Sequence, residues 1–337
     1  MNSFVLELPP TYREGMNEPN PRIERRYFLA AAIPALPLGI CVAATQEAKP
    51  EVVTAPKRVL RIAHFCDVHV QPEKRAAQGF AAALAHAQEH HRPDVILNGG
   101  DQVMDVMSEG RERSAELFAL WNSVMENECS LPVMNVIGNH DVWGWNKEKS
   151  GATGSESDYG KKWAADVFGM PRPYQAIDRS GWRIIVLDST HPVDGGLYTA
   201  RLDDAQFQWL SDTLAATPAD TPVMVASHMP IVSACTMFDG ENEKSGDWVI
   251  PGSWMHIDAR RIKDLFHKHP NVRLCVSGHI HLADSVEYLG VTYACNHAVC
   301  GSWWDGDRAE FPPAYAIIDL FDDGSATNTL VDYGWKT

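Results

Sequence analysis

The sequence predicts an α/β fold built from two packed mixed β-sheets flanked by helices, with a chemical site where the strands end. Three observations predict it. Five short apolar runs each end in residues that bind metal ions: Val59–Cys66 before Asp67-Val68-His69, Val95–Asn98 before Gly99-Gly100-Asp101, Val133–Ile137 before Gly138-Asn139-His140-Asp141, Val223–Ala226 before Ser227-His228, and Val272–Val276 before Gly278-His279-Ile280-His281. Buried parallel strands read as short apolar runs, and open α/β sheets place their sites at the strands' carboxyl ends. The early intervals between runs are long and helical in composition, whereas from Ser285 onward the chain turns to short alternating strands. That change from crossovers to hairpin-like strands implies two sheets in contact, with helices outside.

The elements follow in order. Lys74 to His91 is Ala-rich and joins the first strand to the second; Glu112 to Met125 repeats the arrangement before the third. Trp182 to Leu187 is a further strand. Asp203 or Asp204 caps a helix whose Phe207, Leu210 and Leu214 share one face. Ile257 to His267 is a helix stopped by Pro270. Val291–Cys295, Ala314–Leu320 and Asn328–Asp332 are the late strands, and no internal repeat is seen.

Hydrophobic residues make up 45% of the 337, enough for a packed core. The metal-binding residue types run from Asp67 to His281, so dividing the chain would divide the site, and residues 58–337 read as one catalytic domain. The net charge of −15 disfavours nucleic-acid backbones and anionic membranes as partners. The seven cysteines show no Cys-x-x-Cys spacing, and sequence alone assigns no pairing among them.

Asp67 and His69, like His279 and His281, stand two apart, so in an extended segment both side chains of a pair point the same way. A lone His at a strand end is as consistent with a hydrogen-bonded core residue. So many oxygen and nitrogen donors at so many strand ends indicate a metal centre. In order and residue type these segments resemble the motifs of the calcineurin-like metallophosphoesterases: D-x-H, G-D, G-N-H-D, a lone His and G-H-x-H. The match spans residues 58–337, with Cys66 standing where relatives often carry Ser or Thr.

The resemblance implies a calcineurin-like four-layer sandwich and a dinuclear site. Asp67, His69 and His281 would hold one ion, Asn139, His228 and His279 the other, and Asp101 would bridge them. A shared carboxylate keeps two ions close enough to hold a hydroxide between them and polarise a phosphoryl group. Imidazole and carboxylate donors suit divalent or trivalent Fe, Mn, Zn or Co without choosing among them. His140, beside Asn139, would then assist the leaving group as general acid, with the neighbouring Asp141 orienting its imidazole. The alternative for His140 is a hydrogen bond to phosphate alone.

His64 reads as an inward structural residue, and His191 and His297 as loop residues near the cleft; His86, His90, His91, His267 and His269 read as solvent-facing. The loops Val142–Gly160, Val232–Met255 and Gly301–Pro313 carry Trp143, Trp145, Trp248, Trp254, Trp303 and Trp304, which would either wall the cleft or pack the loops down. Lys147, Lys149 or Arg308 would touch phosphate there. Met104 and His69 set the chain apart from purple acid phosphatases, and the segment after Asp101 lacks the Asp-Arg-Gly of protein phosphatases. The expected activity is hydrolysis of small-molecule phosphate esters, chiefly diesters of the cyclic nucleotide or glycerophosphodiester type. A broad phosphomonoesterase and a non-catalytic metal-binding envelope protein are the rivals.

Glu24-Arg25-Arg26-Tyr27-Phe28-Leu29 followed by the uncharged Ala30–Ala44 resembles a twin-arginine export signal, with residues 45–57 as a linker. It implies passage through the export machinery to the periplasm or cell envelope, and no stable membrane span in the mature chain. An uncleaved anchor is the alternative, which Pro34 and Pro37 disfavour.

Overall fold

The structure, a computed structural model, describes residues 55–336. The expected export signal at 1–44 and all but the end of the 45–57 linker lie outside the described residues. Two large mixed sheets pack together with helices outside.

In the first sheet, β1 (Arg58–Phe65), β2 (Val95–Asn98) and β3 (Val133–Asn135) run parallel, while β12 (Ala314–Phe321) and β13 (Ala326–Asp332) extend the β1 edge antiparallel. The order is β13-β12-β1-β2-β3. Helix α1 (Ala76–His86), prolonged by a π turn over Ala87–His91, is the first crossover; α2 (Arg111–Glu128) lies in the second, and the short helices α3 (Lys147–Ser150) and α4 (Lys161–Val167) follow β3.

The second sheet has the order β10-β11-β9-β8-β5-β4. Its parallel centre comprises β5 (Trp182–Val186), β8 (Val223–Ala226), β9 (Val272–Ser277) and β11 (Val291–Cys295). The antiparallel edges are β4 (Gln175–Arg179) and β10 (Asp284–Tyr288). Period-two alternation divides its side chains. Ile184, Val186, Met224, Ala226, Leu274 and Val276 join the core shared with the first sheet. Ile185, Val223, Val225, Val272 and Cys275 face outward under α5 (Asp204–Ala215) and α6 (Ala259–His267).

Asp203 is the N-cap of α5 and accepts from Gln206 N at 2.7 Å, as its residue type favours. Leu210 and Leu214 lie on its buried face. On α6, fully buried Ile262 and nearly buried Phe266 are the anchors, and Phe266→Ala would cost about 3–5 kcal/mol.

The structure adds β4 and the hairpin of β6 (Thr190–Val193) and β7 (Leu197–Ala200) to the expected elements. The hairpin sequence lacks an apolar face of its own; tertiary contacts, described below, hold it. His86 is not the solvent-facing residue expected, because its Nδ1 lies 2.8 Å from the Tyr315 hydroxyl. No described helix is long and apolar enough to cross a membrane.

Candidate metal centre

Every residue expected to bind metal stands just past the end of a strand. Asp67 and His69 follow β1, Asp101 follows β2, Asn139 follows β3, His228 follows β8, and His279 and His281 follow β9. The reason for their convergence differs from the expected extended alternation. Asp67, His69, Asp101, His279 and His281 all take left-handed backbone conformations, with φ of 54°, 47°, 55°, 76° and 56°. Such a conformation costs roughly 1–2 kcal/mol per non-glycine residue and persists where its surroundings enforce it. Here Asp67 N donates to Gly100 O at 3.0 Å and His69 N to Asp101 O at 2.9 Å. His279 N donates to Asp67 Oδ2 at 2.8 Å, tying the last motif to the first. These turns need room: a Cβ on Gly138 would lie 2.1 Å from Asp101 Oδ1, and one on Gly278 2.4 Å from Asp67 Oδ2.

The ring nitrogens show which atoms remain for a metal. His228 Nδ1 donates to Gly99 O at 2.9 Å and His281 Nδ1 to Gly301 O at 2.8 Å, while His69 Nδ1 faces Met104 O at 3.3 Å. A carbonyl on Nδ1 selects the tautomer with a lone pair on Nε2. The Nε2 atoms of His69 and His281 then face each other at 3.1 Å. His228 Nε2 lies 3.1 Å from Asn139 Oδ1 and 3.2 Å from Asp101 Oδ2. His279 is reversed: its Nε2 donates to Ser253 O at 2.8 Å, and its buried Nδ1 has no hydrogen-bond partner. Nitrogen and oxygen donors converging at these distances fit metal ions held between them.

Asp101 is central. It groups with His69 and His140 on one side and with His228 and His279 on the other, and its Oδ2 lies 3.8 Å from His69 Nε2. Burial alone would depress the His228 imidazole, but Asp101 reverses this and raises its pKa to about 9. Burial would raise Asp67 and Asp101, yet the surrounding imidazoles hold both below the usual carboxylate range. A proton on His228 therefore occupies the electrostatic position that a cation would take.

His140 lies at the edge of this cluster. Its backbone N–H donates to Asp101 Oδ1 at 2.8 Å, and its ring stands edge-on to His69 with centroids 4.8 Å apart. The side chain is 30% exposed while Nδ1 is buried, so the Nε2 edge meets the cleft. Asp141 does not orient it. The Asp141 carboxylate faces away and accepts backbone N–H groups of Asp101, Gln102, Val103 and Gly138 at 2.9–3.2 Å. It secures the turn that presents Asp101. The carboxylate beside the His140 Nδ1 is Asp105, at 3.7 Å. Sequence reading missed Asp105 because adjacency in the chain favoured Asp141, whereas the turn after β3 directs consecutive side chains apart. Burial and the Asp101 charge push Asp141 up to about 7 against those backbone donors.

The tryptophans divide between the two expected roles. Trp143 and Trp304 are buried; Trp304 Nε1 donates to Val68 O and His69 O at 2.9 and 3.1 Å and braces the first motif. Trp303 stacks on His281 at 4.5 Å and walls one side of the site. Trp248 is exposed. Arg308 pairs with Asp239 at 2.5 Å, and Lys147 donates to Thr153 O at 3.0 Å. Tyr198 of β7 closes the far side, edge-on to His279 at 6.1 Å; burial, with Asp101 and Asp105 nearby, keeps its phenol protonated. Cys300 Sγ lies 3.9 Å from His281 Nδ1, a neighbour the motifs do not reveal.

His64 is buried as expected, with Asn296 Nδ2 at 2.8 Å from its Nδ1. His297 is buried under Phe311, and His191 sits on β6. A second constellation joins Asp258, His256 and Ser227 at 2.9 and 3.4 Å. His256 and Ser227 are buried, and Ser227 Oγ already donates to Met229 O at 2.8 Å, so the group supports the His228 turn rather than meeting substrate.

Residues 60–283 match the model of the calcineurin-like phosphoesterases. The chain is 27% identical over 274 residues to a probable cyclic nucleotide phosphodiesterase of Synechococcus, covering 79% of this chain and 89% of the relative. It is 23% identical over 292 residues to the 3',5'-cyclic adenosine monophosphate phosphodiesterase of Haemophilus influenzae, covering 81% and 90%. A dimetal phosphatase from Danio rerio shares the fold with a TM-score of 0.56 at 13% identity, covering 82% of this chain and all of that one. With its strand-end motifs and paired sheets, the chain belongs to the calcineurin-like phosphoesterase family and is a metallophosphoesterase.

Proposed function

We propose that the protein hydrolyses phosphodiesters, of the cyclic nucleotide or glycerophosphodiester type, at a site where Asp67, His69 and His281 hold one metal ion, Asn139, His228 and His279 a second, and Asp101 both. Bound there, the ions would supply Lewis acidity and lower the pKa of water. The observation that carries the diester reading is that two of the three cations expected to touch phosphate are engaged elsewhere. Arg308 is drawn to Asp239 and Lys147 to the Thr153 carbonyl, which leaves less positive charge than the dianion of a monoester would call for and suits a monoanionic diester. The relatives named as cyclic nucleotide phosphodiesterases support the same choice.

His140 holds a proton at Nε2, facing the cleft, for the departing alkoxide. Its Nδ1 lies 3.7 Å from Asp105, the carboxylate placed to orient the ring. Asp141 acts indirectly, holding the Asp101 turn through backbone N–H groups. Trp303 and Trp304 exclude water from the side of His281 and His69.

Metal-loaded protein given bis- and mono-p-nitrophenyl phosphate separates the readings. Faster turnover of the diester supports the proposal; preference for the monoester favours a phosphomonoesterase, and no turnover of either favours a metal binder. The leader is proposed to direct twin-arginine export to the envelope. Replacing Arg25 and Arg26 with Lys should then trap the precursor in the cytoplasm, and unchanged envelope fractionation would refute that route.

A further inference from the structure

We infer that Tyr198 is a substrate-contacting residue, donating its phenolic hydrogen bond to a non-leaving oxygen of the phosphoryl group at the His279 end of the site. The inference rests on the phosphodiesterase reading above and adds a second donor to it.

Three features carry the inference. The first is position. Tyr198 stands edge-on to His279 with ring centroids 6.1 Å apart, while His140 stands edge-on to His69 at 4.8 Å. His69 and His279 belong to different donor groups, joined only through Asp101. The two donor side chains therefore flank opposite ends of the cluster, the span a phosphoryl group would cross.

The second is rigidity. The β6–β7 hairpin is held on both strands of its base and packed closely at its tip. Lys161 Nζ reaches Asp188 at 2.5 Å and also donates to the Thr190 carbonyl. Ala200 N and Thr199 Oγ1 both donate to Gly252 O, at 2.7 and 3.0 Å. The adjacent Ser253 carbonyl accepts from His279 Nε2 at 2.8 Å. One turn thus registers the hairpin and His279 together. At the tip, Gly196 lies so close to Asn146 that a Cβ there would be 2.8 Å from its Cα. A group held on a rigid element beside the reacting centre is preorganised to bind what arrives there.

The third is hydrogen-bonding capacity. Thr199 spends its hydroxyl on Gly252 O, but the half-buried Tyr198 leaves its hydroxyl free of any partner among the described residues. That oxygen is not sealed in the interior, so it is open to an arriving ligand. Packing alone would be served by Phe. A neutral donor also suits a monoanionic diester, which needs a hydrogen bond rather than another charge.

Tyr198→Phe keeps the ring and removes only the hydroxyl. In the metal-loaded full chain, kcat/KM for bis-p-nitrophenyl phosphate should fall by about tenfold to a hundredfold, the worth of a hydrogen bond to a charged group. Affinity for inorganic phosphate, measured by calorimetry, should weaken by about tenfold, with metal content unchanged. The loss should be the same for alkyl and nitrophenyl esters, because Tyr198 does not serve the leaving oxygen. Activity and phosphate affinity within about twofold of wild type would overturn the inference, as would a loss confined to poor leaving groups. Loss of metal from the variant would also overturn it, leaving the hydroxyl a structural part of the His279 environment. If the wild type turns over no ester, the phosphodiesterase reading fails, while the phosphate-binding comparison still decides Tyr198.

Discussion

The two sheets bring different chemistry to the same place. The first supplies all the oxygen donors, Asp67, Asp101 and Asn139, together with His69 and His140. The second supplies imidazoles alone: His228, His279 and His281. The oxygen side carries the negative charge, shaped by backbone turns that Asp141 secures. The imidazole side is aimed through carbonyls at Gly99, Ser253 and Gly301, and Gly99 itself belongs to the first sheet. Neither sheet can form the cluster alone, so the site acts as a clasp across their shared end.

The clasp is most exposed to failure at Asp101, the carboxylate proposed to serve both ions and grouped with His69 on one side and His228 and His279 on the other. Asp101→Ala should reduce activity to background and lower the content of both metals. Elemental analysis that still finds two metals per chain would break the bridging assignment. A smaller change should follow from His140→Ala, which belongs to the first sheet but to neither proposed metal. Metals should remain, and turnover of an alkyl ester should fall by about 10²–10⁴ while a p-nitrophenyl ester suffers much less. Equal losses for both esters would leave His140 as a phosphate contact only.

Asp141 tests whether the oxygen side depends on its backbone turns. Asp141→Asn replaces one acceptor oxygen with a donor facing buried N–H groups, and should cost about 1–3 kcal/mol of stability in the metal-free protein, read from the urea midpoint. An unchanged midpoint would show that the turn holds without the carboxylate.

The mildest test is pH. Burial opposes His228 protonation and Asp101 overcomes it, so the folded pKa of about 9 exceeds the unfolded value of 6.5. A raised pKa gives stability that is fully present below pH 6.5 and lost as pH rises towards 9. In chelator, stability should fall across that window by on the order of 3 kcal/mol. The metal-loaded protein should not show this decline, because a cation replaces the proton. Parallel behaviour of the two forms would mean that no metal meets His228.

Much of this site is legible along the chain. Apolar runs such as Val223–Ala226 and Val272–Val276 declare buried strands because parallel strands must be apolar on both faces, and donor residues at their ends declare where chemistry collects. The capped helix beginning at Asp204 is legible for a similar reason, since its cap and its buried stripe are both local. Asp105 and Tyr198 are not. Asp105 is a single carboxylate in a turn, and its relation to His140 exists only because the β3 turn sends Asp141 the other way.

By itself the sequence determined the α/β class, the strand ends and the identities of the donors, because hydrophobic period and residue type are properties of short segments. The tertiary structure decided which nitrogen of each imidazole faces the centre, which carboxylate stands beside His140, and what closes the cleft. Those depend on carbonyls and side chains far away in the chain, such as Gly99 beneath His228 and Ser253 beneath His279. It also decided how the donors converge. Left-handed turns at Asp67, His69, Asp101, His279 and His281 are locally unfavourable, so no local propensity announces them; only hydrogen bonds between distant motifs hold them in place.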